Sequence, residues 1–179
     1  MIATTYIQPE QLEIASQEAL ASPKEVGTID MIVGRPAVDV RDVKQEAYFS
    51  PEGGLEGDRW DAGNDPDRLA QIAVINTRFL KQIALGNPER MALAGDNLVI
   101  DLNLTEDNLP TGTRLQLGEA LFEVSPRPHL GCAKLAKRFG QDVLRFVNVK
   151  ENRPLKFRGI YLRVIKAGTV RVGDQIVRL

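Results

Sequence analysis

The sequence contains little cysteine and little histidine, with one residue of each among its 179 residues. A single cysteine excludes an internal disulfide bond and also excludes zinc sites built from pairs of cysteines. We therefore expect a protein of the reducing cytoplasm. No apolar stretch approaches the roughly 18 residues that a membrane-spanning helix needs, and the acidic N-terminus lacks the apolar run of a signal peptide. The sequence thus predicts a chain that neither crosses a membrane nor is exported.

The net charge is only −1, but the two signs of charge are separated along the chain. Residues 1–126 carry 10 Lys and Arg against 21 Asp and Glu, whereas residues 127–171 carry 12 against 2. Such a dense positive field can gather an anionic ligand, or it can form a solvated basic face. Aromatic residues, at 6%, are not interleaved with these cations. The pattern therefore favours a small phosphorylated ligand over nucleic acid.

The pattern of apolar residues and turns predicts a mainly β protein. Short strands, glycine-marked turns and few helices favour a compact β-barrel with a few short helices packed outside it. Predicted strands lie at 26–34, 37–49, 71–75 and 95–104, with a hairpin at 114–125 that turns at Gly118–Glu119. Predicted helices lie at 9–21, 132–139 and 141–147, and a further one begins near Asn76. We expect residues 1–25 to form an N-terminal helical extension and residues 26–179 to form the barrel domain.

The cysteine and the histidine lie three residues apart in the basic segment PRPHLGCAKLAKRFG, residues 126–140. If residues 132–139 form a helix, Cys132 falls on its apolar face, as a small core residue would. It also falls in the first turn, where free N–H groups, the helix dipole and nearby cations stabilise a thiolate. A thiolate is a nucleophile and a soft ligand for transition metals. The residues alone leave both interpretations open.

Five segments of the chain resemble, in order, those of the MOSC domain, the module named for the C-terminal part of molybdenum-cofactor sulfurase. They are GLEGDR (54–59), LAGDNL (93–98), LPTGTRLQLGEALFEVS (109–125), PHLGCAKLAKRFG (128–140) and RGIYLRVIKAGTVRVGD (158–174). The resemblance covers roughly residues 26–175 and is strongest to the short, single-domain bacterial type, whose cysteine segment reads His-x-Gly-Cys-x-Lys. It implies a β-barrel that binds a molybdopterin-type molybdenum cofactor, with Cys132 as metal ligand or sulfur carrier.

Given such a cofactor, the charge and chemistry of nearby residues suggest which side chains contact it. The pterin carries a phosphate, and the candidate cations for it are Arg127, Lys134, Arg138 and Arg158. Candidates for hydrogen bonds to the pterin, or to water near the metal, are Asp58, Arg59, Asp96 and Asn97. The glycines beside them can equally serve only as turn residues. His129 is a further candidate, although a histidine in a loop more often only donates a local hydrogen bond.

Three functions are compatible with these features. The first is a small molybdenum-cofactor oxidoreductase, reducing N-hydroxylated compounds, with Cys132 as the catalytic metal ligand. No flavin or iron–sulfur motif is present in the sequence, so its electrons would come from a separate reductase. The second is a non-enzymatic carrier of the cofactor, or of sulfur that a donor places on Cys132 as a persulfide. The third is a barrel whose cysteine is a core residue. Related proteins fused to a desulfurase bind pyridoxal phosphate, which we do not expect in this chain.

Overall fold

The computed structural model describes residues 5–63 and 65–179. The helices are α1 (Pro9–Leu20), α2 (Thr77–Ile83), α3 (Pro88–Ala92), α4 (Ala133–Phe139) and α5 (Gln141–Asn148). The strands are β1 (Val26–Gly34), β2 (Asp42–Lys44), β3 (Glu46–Ser50), β4 (Gly54–Leu55), β5 (Ile72–Asn76), β6 (Leu98–Asp101), β7 (Arg114–Leu117), β8 (Ala120–Val124), β9 (Ile160–Lys166), β10 (Gly168–Arg171) and β11 (Gln175–Arg178). Short 3-10 helices span Arg68–Ala70 and Arg153–Leu155.

Seven strands of the described chain close into a barrel, which confirms the predicted fold class. Their order is β11-β7-β8-β9-β5-β6-β1, and pairing of β1 with β11 completes the ring. Of these pairings only β5 with β6 is parallel, and α2 and α3 lie in the connection between those two strands. A smaller sheet of β10, β3 and β4 contributes Phe49 and Val170 to the apolar core of the barrel. Closure leaves no free edge along the barrel wall.

A second apolar core lies between the barrel wall and the helices. Helix α1 buries Leu12, Ala15 and Ala19 in it, together with Phe79 of α2 and Phe139 of α4. The helix predicted at residues 9–21 is therefore confirmed, while residues 1–4 of the predicted extension lie outside the described residues. The division into an extension of 1–25 and a domain of 26–179 stays a prediction. In the described part of the chain, no helix has the length and apolarity needed to cross a membrane.

The single strand predicted over residues 37–49 is wrong. Residues 37–41 form an irregular turn in which Asp39 has a φ of 59°, and β2 and β3 follow as separate strands. Strand β2 pairs with β1, whereas β3 pairs with β10 in the smaller sheet. The valines whose alternation predicted a strand, Val38 and Val40, are 61% and 46% exposed. Their alternation reflects an exposed turn and not a buried sheet face.

Candidate functional site

A cleft of about 390 Å³ opens beside Cys132. The end of β1, the segment before β6, the segment before β9 and the start of α4 meet there. The cations that line it are Arg35, Arg41, Arg59, Lys134, Arg138 and Arg158. Asp39 is the one carboxylate among the described lining residues. Trp60 contributes an aromatic ring to the lining, and Gly95 contributes backbone that no side chain covers. We call this the cationic cleft; its charge suits an anionic ligand.

Cys132 is the N-cap residue of α4 and is exposed in the cationic cleft. Because the helix proper begins one residue later, the cysteine is not on the buried apolar face, and its interpretation as a core residue is wrong. Burial alone would raise the pKa of the Cys132 thiol. The backbone N–H groups of Leu135 and Lys134 lower this pKa, as do the charges of Arg158 and Arg138. The net result is a thiol pKa below its usual value. The sulfur accepts no regular capping hydrogen bond, so the N–H groups act as nearby dipoles.

The backbone before Cys132 is held by a reciprocal pair of hydrogen bonds. The N–H of Gly131 donates to Oδ1 of Asn148 at 2.9 Å, and Nδ2 of Asn148 donates to the Gly131 carbonyl at 3.0 Å. A Cβ atom on Gly131 would lie 2.8 Å from Leu144 Cδ1 and 2.9 Å from Val147 Cγ2, so glycine permits this close approach to α5. The position of the thiol is thereby set by contacts with the following helix.

Hydrogen bonds to the buried Asp96 hold Arg158 in place. Its Nη1 donates to both carboxylate oxygens of Asp96, at 2.9 Å each, while its Nε is buried without a hydrogen-bond partner among the described residues. His129 lies against the same carboxylate, with Nδ1 3.7 Å from Asp96 Oδ1, and its ring packs on Tyr161 at 4.2 Å between centroids. Burial, reinforced by Arg158, lowers the pKa of His129 well below its usual range. His129 is therefore a neutral ring at physiological pH.

Arg35 is positioned in the same way by Asp58. Its Nε and Nη2 donate to the two carboxylate oxygens at 2.9 and 2.8 Å, and its Nη1 donates to the Gly95 carbonyl at 3.2 Å. Asp58 also accepts from Nδ2 of Asn97 at 3.3 Å and from the Trp60 N–H at 3.1 Å. The Asn97 side chain itself is fully buried. These groups form a rigid polar base under one wall of the cleft.

Arg41 and Arg138 also meet at Gly95. Nη1 of Arg138 donates to the Leu93 carbonyl at 2.7 Å, and its Nη2 donates to Asp39 at 3.0 Å. Arg41 forms no ion pair with any described residue, and its Nε is buried without a hydrogen-bond partner there. Burial, followed by Arg138 and Arg35, lowers the pKa of the Arg41 guanidinium. A cation crowded in this way is stabilised when an anion binds beside it.

The structure brings some of the predicted site residues together in the cleft and leaves others out of it. Those that line it with Cys132 are Arg59, Lys134, Arg138 and Arg158. Those that are buried without lining it are Asp58, Asp96, Asn97 and His129. Arg127 lies outside the lining and pairs with Asp67 at 3.4 Å. Direct contact of these residues with a cofactor stays a prediction.

Arg35 and Arg41 are two residues of the cleft that the sequence did not indicate. Both lie in the acidic part of the chain, and Arg41 falls inside the strand wrongly predicted over residues 37–49. Two features of the sequence could have drawn attention to them. Cations are scarce in this part of the chain, with 10 in residues 1–126, and these two flank a turn that contains Pro36. Neither feature indicates which way the turn folds.

Comparisons with known proteins agree with this fold. A family model described as the MOSC domain matches residues 68–177, a range that contains Asp96, Cys132 and Arg158. The crystal structure of a hypothetical protein is 25% identical, with a TM-score of 0.61 over 87% of this chain and 68% of that one. The YuaD protein from Bacillus subtilis is 19% identical, with a TM-score of 0.57 over 84% of this chain and 94% of that one. YiiM from Geobacillus stearothermophilus is 19% identical, with a TM-score of 0.61 over 86% of this chain and 75% of that one. No curated protein matches the chain in sequence.

Proposed function

The chain belongs to the MOSC domain family, which is associated with molybdenum-cofactor binding, and we propose that it binds a molybdopterin-type cofactor in the cationic cleft and acts as a small oxidoreductase. Its substrates in this proposal are N-hydroxylated compounds, and its electrons come from a separate reductase. The observation that carries the proposal is the convergence of Cys132 with six cations in one cleft. No contact among the described residues favours the alternative of a sulfur carrier.

The residues of the cleft fit such a cofactor. The exposed Cys132 offers a soft sulfur donor, and its lowered pKa favours the thiolate form that ligates a transition metal. The buried Nε atoms of Arg41 and Arg158 lack hydrogen-bond partners among the described residues. A Cβ atom on Gly95 would lie 3.2 Å from Nη2 of Arg41, so the glycine lets that guanidinium lie close against the backbone. Thiolate, cations and open backbone together suit a pterin that carries a phosphate.

Each side chain then has a defined part in holding the cofactor. The bound cofactor supplies a metal that exchanges electrons and an oxygen atom with the substrate. Cys132 holds the metal through its thiolate. Arg158 and Arg35 present guanidinium groups that Asp96 and Asp58 already hold in place, so little reorganisation is needed when the anion binds. Lys134, 61% exposed at the mouth, adds long-range attraction for an anion.

Metal content is the direct test of this proposal. The protein is purified from a host that makes the cofactor and from a host that does not, and molybdenum and pterin are measured per chain. We expect about one of each from the first host only. Arg41→Ala should lower both, because the loss of a charge-assisted hydrogen bond to phosphate, worth more than about 1.4 kcal/mol, weakens binding at least about tenfold. Lys137→Ala removes an exposed cation of the same basic segment that does not line the cleft, and it should change neither.

The role of Cys132 is tested separately by Cys132→Ser. This variant should retain pterin, because the cations remain, and should lose reduction of an N-hydroxylated amidine by a chemical reductant. Full activity of Cys132→Ser would overturn the assignment of the metal ligand. Equal loss of pterin in Lys137→Ala and Arg41→Ala would overturn the assignment of the cleft. A persulfide on Cys132 in protein free of molybdenum would establish the carrier alternative instead.

A further inference from the structure

A second cleft adjoins the cationic cleft at Arg158, whose side chain lines both. It consists of two cavities of about 400 and 240 Å³. The cavities share four lining residues, which are Glu106, Pro128, His129 and Lys156, so they lie side by side. The combined space is in the range of small-molecule sites.

The larger cavity of the second cleft has a mainly apolar wall. It is lined by Pro128, Leu130, Val147 and Pro154. The smaller cavity has a more polar lining, and its apolar residues Leu109, Val124 and Ile160 are buried in the core. Leu130 is 48% exposed although it is a large apolar side chain, so a ligand in the cleft would cover it. Covering apolar surface stabilises a complex by about 25 cal/mol per Å².

The rim of the second cleft is cationic. The cations that line it are Arg127, Lys150, Arg153, Lys156 and Arg158, and Glu106 is the one carboxylate among the described lining residues. Lys156 reaches Glu106 only at 3.7 Å, and Lys150 forms no ion pair with a described residue. Exposed pairs of this kind contribute little energy, so the positive charge at the rim remains available to a ligand.

From this combination we propose that the second cleft binds an organic anion with an apolar, preferably aromatic, body. The body packs against the exposed Leu130 and Pro128, and its carboxylate, sulfonate or phosphate ester lies between Lys150 and Lys156. This site is distinct from the cationic cleft, whose walls carry a thiol and a nearly continuous set of cations. The inference therefore does not depend on cofactor binding, and a molybdenum-free protein should show it equally.

The probe for the test is 8-anilinonaphthalene-1-sulfonate, an aromatic anion that fluoresces in apolar sites. Its neutral analogue N-phenyl-1-naphthylamine lacks the sulfonate. Purified full-length protein is titrated with each probe, and backbone amide shifts are recorded by NMR in parallel. We expect one site for the anion, with the largest shifts at Leu130, Val147 and Lys156, and at least about tenfold weaker binding of the neutral analogue.

Two variants each remove one of the proposed contacts, so the test still works if one of them does not fold. Leu130→Asp places a negative charge on an exposed position of the apolar wall. Lys156→Gly removes a rim cation at a residue whose φ of 57° suits glycine, so its fold should be retained. Each should weaken the anion at least about tenfold, whereas Lys137→Ala, which lines neither part of this cleft, should change its affinity less than twofold.

Three results would overturn the proposal. The first is wild-type affinity for the anion in a folded Lys156→Gly or Leu130→Asp protein. The second is equal affinity for the charged and the neutral probe. The third is a set of amide shifts centred on Trp60 and Gly95, with displacement of the probe by inorganic phosphate at constant ionic strength. That result would assign the probe to the cationic cleft.

Discussion

Arg158 and Asp96 form a buried ion pair in which one guanidinium nitrogen, Nη1, donates to both carboxylate oxygens at 2.9 Å. Asp96 lies before β6 and Arg158 lies before β9, so the pair joins two parts of the chain that are 62 residues apart. The Asp96 side chain is fully buried, whereas Arg158 lines the cationic cleft. The carboxylate therefore fixes the place of a cation that faces the cationic cleft.

Breaking this pair should destabilise the fold. Asp96→Asn leaves the guanidinium of Arg158 buried without its counter-charge, and such changes lower the free energy of unfolding by about 3–5 kcal/mol. Urea denaturation measures the difference. The control is Glu46→Gln, which breaks an exposed pair with Arg171 at 3.1 Å and should cost less than about 1 kcal/mol. Equal, small effects of the two changes would mean that the buried pair has no special role in stability.

The thiol of Cys132 should be more acidic than that of an ordinary cysteine. The neighbouring N–H groups and arginines lower its pKa against the opposing effect of burial. The rate of alkylation by iodoacetamide, followed against pH, should have its midpoint below about 8.5, the value of a free cysteine. Arg138→Ala should raise the midpoint, and Lys137→Ala should raise it less. A midpoint at or above about 8.5 in the wild-type protein would contradict the electrostatic argument.

Acidification should destabilise the protein through His129. Burial and then Arg158 lower the pKa of this ring in the folded state, so below about pH 6.5 the unfolded chain takes up a proton that the folded chain does not. The stability conferred by the neutral ring is complete above that pH and is lost as the pH falls. The free energy of unfolding should drop by up to about 1.4 kcal/mol per pH unit.

The control for this prediction is His129→Phe, which keeps an aromatic ring against Tyr161. Since His129 is the only histidine of the chain, the slope between about pH 5.5 and 6.5 should largely disappear in this variant. Urea denaturation at a series of pH values measures both slopes. An unchanged slope in His129→Phe would assign the acid sensitivity to carboxylates and refute the prediction.

Gly159 should tolerate no side chain, for a reason beyond its backbone conformation. Its φ is 111°, and a Cβ atom there would lie 1.9 Å from the Val74 carbonyl oxygen of β5. Gly173 has a similar φ of 91°, but a Cβ atom on it would meet nothing within 4 Å. Gly173→Ala should therefore cost only the conformational strain, about 1–3 kcal/mol.

Gly159→Ala adds a clash with backbone to the same strain, so its loss of stability should exceed that of Gly173→Ala by about 2 kcal/mol or more. Thermal unfolding of the two variants compares them directly. Similar losses in both would show that the segment before β9 can move away from β5.

The elements that sequence reasoning located correctly are those with a local physical signal. The hairpin turn at Gly118–Glu119 lies between β7 and β8, and Gly118 adopts a φ of 51°. Helix α2 begins after Asn76, whose Oδ1 accepts from the Phe79 N–H at 3.0 Å. Helix α4 begins directly after Cys132. Turn and capping preferences depend on a few neighbouring residues, so a single sequence is enough to show them.

The turn at residues 37–41 shows where local signals fail. Alternation of Val38 and Val40 with polar residues predicted a strand, but both valines stay exposed in the structure. Alternation records which residues could share a face, and only the rest of the fold determines whether that face is covered. The error also hid Arg41, which the turn brings to the cationic cleft.

The sequence by itself determined that this chain forms a β-barrel and that its cysteine lies in basic surroundings at the start of a helix, because these follow from local pattern and composition. Only the tertiary structure decided which charges meet. Arg35 and Arg41 come from the acidic part of the chain and line the cleft with Cys132, whereas Arg127, five residues from the cysteine, does not. These cations meet because the strands beside them pair. Strand β1 pairs with β6 because this arrangement buries the apolar side chains of the whole barrel.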